Sequence, residues 1–122
     1  MAKSAHIDVL DGCGLVIDAN ANLMTACNAQ PTTRTEAVTT FALADVAMAG
    51  ADFTPAMDGT GRMLTVSAKS AVPIDVTDTA IYIALVDATR LLYVTTCTSQ
   101  LLTQGGTVDF PSFNICKIPQ PT

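Results

Sequence analysis

Short runs of hydrophobic residues alternate with polar residues along this chain, and the most pronounced pattern lies at Ala80–Thr98, AIYIALVDATRLLYVTTCT. Two apolar runs of strand length, Ile81–Val86 and Leu91–Cys97, flank the polar residues Asp87–Arg90. Two such runs joined by a few turn-forming residues predict a β-hairpin. Because both faces of each run are apolar near the turn, we expect this hairpin to be covered on both sides.

The beginning of the chain predicts one helix. After Ser4, a plausible N-cap, apolar residues recur at three- and four-residue steps, which predicts a helix from Ala5 to about Asp18. Gly12 and Gly14 weaken such a helix, each by up to about 1 kcal/mol relative to alanine. We interpret the two glycines as positions where the helix packs closely on a sheet; the alternative is that the helix ends early.

The remainder predicts short strands separated by turns. Strands are predicted at Leu23–Cys27, Asp45–Ala49, Arg62–Lys69, Ile74–Val76 and Thr107–Lys117. In Arg62–Lys69 the alternation places Leu64, Val66 and Ala68 on the inward side. Val72-Pro73 is predicted to be a break, and Pro111 marks the last strand as an edge or bulged strand because proline cannot donate to a ladder.

Two connections have recognisable local chemistry. Asp58–Gly61, read as Asp-Gly-Thr-Gly, predicts a turn between antiparallel strands. Thr35–Val38 predicts the start of a short helix. One helix followed by several short strands with regular turns predicts a mainly β (α+β) fold, namely a small antiparallel β-sandwich or open barrel with an N-terminal helix. The length of 122 residues predicts one domain over residues 1–122, with a short N-terminal arm and an extended C-terminal tail.

Charge is unusually sparse for such a chain. Hydrophobic residues make up 49% of the sequence and charged residues 14%, with a net charge of -5, whereas charged residues are about 25% of an ordinary soluble domain. An acidic chain with six scattered basic residues is poorly suited to bind nucleic-acid phosphates. Because obligate protein interfaces are depleted in charge, we expect part of the surface to be covered by other protein; the alternative is a merely neutral surface.

The sequence predicts neither a membrane segment nor a metal or cofactor site. The opening residues lack a signal-like apolar run, and no run approaches the roughly 20 apolar residues that span a bilayer, so we expect a protein made in the cytosol. Four cysteines occur without a CxxC pair, and we expect them to be reduced and buried. They are Cys13, Cys27, Cys97 and Cys116.

No catalytic constellation is visible, so we predict that the chain is not an enzyme. His6 is the only histidine and has no accompanying nucleophile motif. Asp58–Gly61 lacks the further carboxylates that a calcium loop needs, so a hairpin turn is the simpler interpretation. The six aromatic residues lie in apolar context and are expected to be core or interface residues. They are Phe41, Phe53, Tyr82, Tyr93, Phe110 and Phe113.

Several phrases resemble a family of small virion structural proteins of tailed bacteriophages. They are MAKSAHIDVLDG, CNAQPTTRTEA, ALADVAMAGADFT and LLYVTTCTSQLLTQGGTVDFPSF, and the resemblance extends along nearly the whole chain. It implies a capsid decoration (cement) protein, which binds the assembled icosahedral head and clamps neighbouring capsomers. The implied partners are the major capsid protein and further copies of the chain, as a trimer or dimer. The implied location is the capsid surface of the virion, after synthesis in the bacterial host cytoplasm.

A cement protein needs edges or arms that contact its neighbours, and strand addition at a sheet edge supplies such contacts. The candidate contact residues lie in the N-terminal arm, at the predicted edge strand and in the tail. They are Lys3, Ser4, Pro111, Phe113, Lys117, Ile118 and Pro119. Two alternatives stay open: a tail or head-tail adaptor subunit, and a small-molecule-binding β-barrel with a pocket lined by Tyr82, Tyr93 or the phenylalanines. A hydrolase using His6 is the weakest alternative.

Overall fold

The computed structural model describes residues 12–59 and 61–118, apart from the side chain of Cys13. One helix, α1 (Gly12–Asn20), precedes nine strands within these residues. The strands are β1 (Leu23–Cys27), β2 (Ala42–Ala47), β3 (Phe53–Asp58), β4 (Gly61–Val66), β5 (Lys69–Pro73), β6 (Asp78–Val86), β7 (Leu91–Leu102), β8 (Thr107–Phe110) and β9 (Phe113–Ile118). The predicted fold class, mainly antiparallel β with an N-terminal helix, is confirmed.

The strands form three antiparallel sheets. Their orders are β2-β1-β6-β7, β3-β4-β9 and β5-β8. A single bridge between Ala44 and Ile74 connects the end of β5 to β2. Since β5 follows β4 closely and β9 follows β8 closely along the chain, the two-stranded sheet is connected to β4 and β9, two neighbouring strands of the three-stranded sheet.

One main hydrophobic core connects all three sheets and the helix. Its members include Met24 and Leu85 from the four-stranded sheet, Leu64 from the three-stranded sheet and Val108 from the two-stranded sheet. Met24 and Leu85 are at most 1% exposed. Burial of large aliphatic side chains from facing sheets is the main stabilising contribution in such a fold.

The hairpin at the centre of the sequence is confirmed as β6 and β7. Val86 pairs with Leu91, so residues 87–90 form the turn. Residues 83–86 are all buried, which confirms that β6 is covered on both faces. Residues 93–96 and 100–102 of β7 pair regularly with β6. Leu92 is one extra residue on β7, and residues 97–99 lie opposite the single residue Ile81, so both places form bulges.

The outer face of the four-stranded sheet is covered by residues 28–41, the cover segment. A π-helical turn, Glu36–Thr40, lies within it and confirms the short helix predicted at Thr35–Val38. The turn places Ala37 against Cys27, Ala84 and Val86 in a second, smaller hydrophobic cluster. β1 and the end of β6 are therefore buried on both faces, although the described residues form no second layer of strands on the outer face.

Helix α1 confirms one of the two predicted close contacts. A Cβ built on Gly14 would lie 3.4 Å from the Leu64 side chain, so the helix packs closely on β4 at this residue. The prediction for Gly12 was wrong, because nothing lies within 4 Å of a Cβ built there. The predicted start of the helix at Ala5 lies outside the described residues.

The strand between residues 62 and 69 differs from the prediction. β4 ends at Val66, Ala68 is exposed, and the chain enters β5 at Lys69. Val72-Pro73 is the end of β5 instead of a break, because Val72 pairs with Val108 of β8. The predicted strand at residues 45–49 begins three residues earlier, at Ala42.

The cysteines are only partly as expected. Cys27 and Cys97 are free thiols, and burial raises the pKa of both. Cys116, however, is disulfide-bonded, so the expectation of four reduced cysteines was wrong. Sequence spacing could not show this, because a disulfide depends on which Cα atoms the fold brings within about 7 Å.

Candidate protein interface

Two adjoining cavities lie between β7 and the segment that connects β8 to β9. Their volumes are about 140 Å³ and about 310 Å³, and four residues line both: Ile83, Cys97, Thr98 and Pro111. Together they form one surface depression, called the β7 groove below. Its remaining lining residues are Ala26, Ala80, Thr95, Thr96, Gln100, Leu102, Val108, Asp109, Phe110, Phe113 and Asn114.

The groove exists because two irregularities meet at this place. On one side, residues 97–99 of β7 bulge opposite Ile81. On the other side, Pro111 and Ser112 separate β8 from β9, and proline has no N–H with which to continue a ladder. Within residues 12–59 and 61–118, no strand pairs with the outer edge of β7. Among the described residues, the backbone groups on this edge of β7 therefore have no strand partner.

The edge strand itself carries no charge. β7 reads LLYVTTCTSQLL over twelve residues, without Asp, Glu, Lys, Arg, Pro or Gly. Other edges do carry such residues: β3 contains Pro55 and Asp58, β2 contains Asp45, and β9 contains Lys117. Charges, prolines and bulges are the usual protection of an edge against pairing. β7 has bulges, but it lacks the other two protections.

The groove contains few groups that could take part in chemistry. Asp109 and Cys97 are the only titratable side chains among its lining residues. An oxygen of Asp109 accepts a hydrogen bond from the Ala71 N–H at 2.9 Å, and desolvation raises the pKa of the Cys97 thiol. A thiol whose pKa is raised is a poor nucleophile at neutral pH. The geometry supports binding by shape and backbone hydrogen bonds.

The structure brings together two of the predicted contact residues. Pro111 is exposed and lines both cavities, and Phe113 is half-buried and lines the larger one. Lys117 and Ile118 lie towards the far end of β9, where Ile118 pairs with Arg62. Lys3, Ser4 and Pro119 lie outside the described residues, as does His6.

Sequence reasoning missed the β7 side of the groove, above all Thr95 and Thr98. A signal was present, because a strand-length segment without charge or proline is unusual at an exposed edge. That signal is informative only when β7 is known to be the edge strand of its sheet. The two tyrosines that the alternative hypothesis names do not line the groove, because Tyr82 lies in the outer cluster and Tyr93 packs on the main core. Phe110 and Phe113 are the only aromatic residues among the groove's lining residues.

A second polar constellation holds the end of the β6–β7 hairpin. One Asp87 oxygen accepts hydrogen bonds from the N–H groups of Thr89 at 2.8 Å and Arg90 at 2.5 Å, and the other lies 2.7 Å from Arg90 Nε. These hydrogen bonds lower the pKa of Asp87 to about 2, the bond from Thr89 being the largest cause. Arg34 Nε donates to the Asp87 carbonyl at 2.7 Å and joins the cover segment to this turn. These contacts of Asp87 and Arg34 hold the turn and the cover segment in place, which is a structural role.

No family model, curated protein or solved structure matches the chain. None of the helices among the described residues is long and apolar enough to cross a membrane. In that part of the chain, groups of three or more His, Cys, Asp or Glu side chains that could hold a metal ion are also absent.

Proposed function

We propose that this chain is a structural protein of a phage virion, a capsid decoration protein that binds the assembled head and stabilises it. The observation that carries the proposal is the charge-free edge of β7, unpaired among the described strands, beside the β7 groove with its mostly apolar smaller cavity. A surface of this kind, on a chain with only 14% charged residues, suits contact with other protein chains. The virion assignment itself comes from the resemblance of the sequence phrases to phage structural proteins.

The docking surface in this proposal includes two predicted contact residues and one that the structure adds. Pro111 and Phe113 lie on one wall of the groove, and Thr98 lies on the other. The major capsid protein supplies the opposing surface.

Binding to expanded empty capsids of the virus that encodes the chain tests this function. The wild-type chain should saturate the capsids at a fixed copy number per particle, measured by sedimentation and gel densitometry. Thr98→Arg places a charge in the groove and should weaken binding strongly. Thr54→Arg is the matched control, because Thr54 is an exposed threonine on the β3 edge and its replacement should leave binding unchanged.

Two results would contradict the proposal. Absence of the wild-type chain from capsids together with its presence in isolated tails would favour the tail or adaptor alternative. Equal loss of binding in Thr98→Arg and Thr54→Arg would show that the β7 groove is not the docking surface. Light scattering of the purified chain measures whether it docks as a monomer, dimer or trimer.

A further inference from the structure

We propose that Asp58 is a site of spontaneous covalent modification, at which its side chain cyclises onto the backbone nitrogen of Gly59 and the ring then reopens to isoaspartate. The Asp-Gly-Thr-Gly turn at Asp58–Gly61 has no part in the function proposed above. This reactivity does not depend on a capsid role, because it follows from the chemistry and the exposure of the turn alone.

The reaction needs no partner other than water. The Gly59 backbone nitrogen attacks Cγ of the protonated Asp58 carboxyl group, so that a C–N bond forms and the hydroxyl leaves with the amide proton as water. The product is a cyclic imide, a succinimide, which water opens again. Opening at the main-chain carbonyl of Asp58 leaves the peptide link through the side chain, as isoaspartate. Opening at the side-chain carbonyl returns aspartate, so the modification changes the connectivity but not the mass.

The nitrogen of Gly59 is accessible to this attack. The β3–β4 ladder ends where Asp58 pairs with Gly61, so Gly59 lies outside the register. Within the described residues, its N–H donates to no backbone carbonyl. Nothing lies within 4 Å of a Cβ built on Gly59, and glycine has no side chain of its own that would shield the nitrogen.

The carboxyl group of Asp58 is free as well. Asp58 is exposed, and no hydrogen bond or ion pair holds its side chain among the described residues. By contrast, Asp52 forms an ion pair with Lys69 at 2.8 Å, and Asp109 accepts a hydrogen bond from the Ala71 N–H at 2.9 Å. A carboxyl group without such contacts can rotate between its rotamers and reach the next backbone nitrogen.

The residue after each aspartate separates Asp58 from the other described aspartates. Asp58 is the only one of them that glycine follows. Asp45 precedes Val46, and Asp52 precedes Phe53. Their larger side chains stand beside the attacking nitrogen and hinder it, and the Phe53 N–H is also engaged in a hydrogen bond to a backbone carbonyl. These two aspartates are therefore internal references for the reaction at Asp58.

The modification should open the end of the β3–β4 hairpin. In isoaspartate the main chain runs through Cβ and Cγ of the residue, so one methylene enters the backbone and the former main-chain carbonyl becomes a carboxylate. This change falls on the residue that closes the hairpin by pairing with Gly61. The regular pair can no longer form there, and we expect the loss of pairing to extend to the next pair, Met57 with Arg62.

Ageing of the intact purified chain at neutral pH tests the proposal. The tryptic peptide of residues 35–62 contains Asp45, Asp52 and Asp58, and electron-transfer fragmentation distinguishes isoaspartate from aspartate at each of them. Isoaspartate at Asp58 should exceed that at either other residue by about tenfold or more, because only Asp58 precedes a residue without a side chain. Equal levels at the three residues would overturn the proposal. The other Asp-Gly pair of the sequence begins at Asp11, outside the described residues and outside this peptide.

Two variants separate the attacking nitrogen from the carboxyl group. Gly59→Asn adds a side chain beside the nitrogen, and asparagine tolerates the φ of 64° better than most residues do, so isoaspartate at Asp58 should fall about tenfold while the turn is kept. Asp58→Glu requires a larger ring and should abolish the modification at this residue. Gly105→Asn is the matched control, because Gly105 has a φ of 89° and open space around it in another turn. Unchanged modification in Gly59→Asn, or an equal fall in Gly105→Asn, would contradict the proposed attack.

A free peptide of residues 53–62 gives the rate in the absence of the fold. The rate at Asp58 in the intact chain should lie within about tenfold of the rate in the peptide, because an exposed turn restricts its residues little. A far slower rate in the chain would show that the folded turn protects Asp58, and would overturn the proposal. Hydrogen exchange of the separated isoaspartate form should be faster than that of the unmodified chain in β3 and β4 but unchanged in β6 and β7. Unchanged exchange in all four strands would refute the opening of the hairpin.

Discussion

The two faces of the four-stranded sheet are both buried, but they are buried by different means. The inner face packs large side chains such as Met24 and Leu85 against two other sheets. The outer face buries smaller groups, including Cys27 and Ala84, beneath the cover segment. The inner face is stabilised mainly by apolar area, whereas the cover segment is also held by polar side-chain contacts.

Those polar contacts lie at the first residue of the cover segment and in its middle. Asn28 Nδ2 donates to Asp78 at 2.8 Å, the Thr32 hydroxyl donates to Glu36 at 2.6 Å, and Arg34 donates to the Asp87 carbonyl. A short irregular segment buries little area of its own, so such hydrogen bonds determine whether it stays in place. From this comparison we expect substitutions on the inner face to lower stability when they remove side-chain volume. On the outer face, we expect stability to fall when volume is added or when the pH is lowered.

The largest expected effect is on the inner face. Leu85 is 1% exposed, and Leu85→Ala should lower the free energy of unfolding by about 2–5 kcal/mol, because it removes buried methyl groups and leaves a cavity. Urea or guanidinium titration measures this change. Leu101→Ala is the control, since Leu101 is 68% exposed. A loss of stability as large as that of Leu85→Ala would refute the assignment of Leu85 to the core and Leu101 to the surface.

The outer face should be sensitive to added volume. Ala37 is completely buried against the sheet. Ala37→Leu should lower the free energy of unfolding by about 1–3 kcal/mol, because the cover segment and the sheet are already in contact and would have to separate to make room for the larger side chain. The same titration measures it. Val38→Leu adds volume at a half-buried neighbour and should cost less. A neutral Ala37→Leu would mean that the cover segment does not press on the sheet in solution.

The hairpin turn should show a smaller effect that depends on chemistry rather than volume. Asp87→Ala removes the acceptor for the Thr89 and Arg90 N–H groups and should lower the thermal midpoint. Asp87→Asn keeps one acceptor oxygen and should recover part of the loss. Equal midpoints for the two variants would show that the side-chain hydrogen bonds do not hold the turn.

The smallest expected effect is the dependence of stability on pH, and its direction follows from the pKa shifts. Hydrogen bonds lower the pKa of Glu36, Asp78 and Asp87, in each case through neighbouring Thr, Asn or backbone donors. A carboxylate with a lowered folded-state pKa stabilises the fold above its unfolded value of about 4. That contribution is lost as the pH falls, for Asp87 down to about 2. The urea midpoint should decrease as the pH is lowered through this window. The decrease should be smaller in Asp87→Asn.

The ionisation of Asp45, on β2 of the same sheet, has the opposite effect on stability. Burial, and then the charge of Asp75, raises its pKa, so the folded state binds a proton more readily than the unfolded state. Its ionisation therefore costs stability at neutral pH, and acidification through its pKa removes that cost. Asp45→Asn should slightly raise the urea midpoint at neutral pH. A fall in the midpoint would show that the Asp45 carboxylate has a stabilising partner.

The sequence by itself determined the local features of this protein. Residues 87–90 combine a helix- and strand-breaking Asp with polar neighbours, and they form the predicted turn. Asp58 and Gly61 close the predicted β3–β4 hairpin, where Gly59 takes a φ of 64° that glycine adopts readily. These features depend on neighbours within a few residues, which is why pattern and propensity suffice to predict them.

Only the tertiary structure decided which strand lies at an edge, where the sheets turn and which cysteine is bonded. Ala68 is exposed and Val72 is buried because the chain crosses between sheets at residues 67–68, and no local pattern records such a crossing. Pro111 was recognised as an edge residue, but its position opposite the β7 bulge required the register of β6 with β7. Pairing between distant strands is set by the packing of the whole core, and the β7 groove is a consequence of that packing.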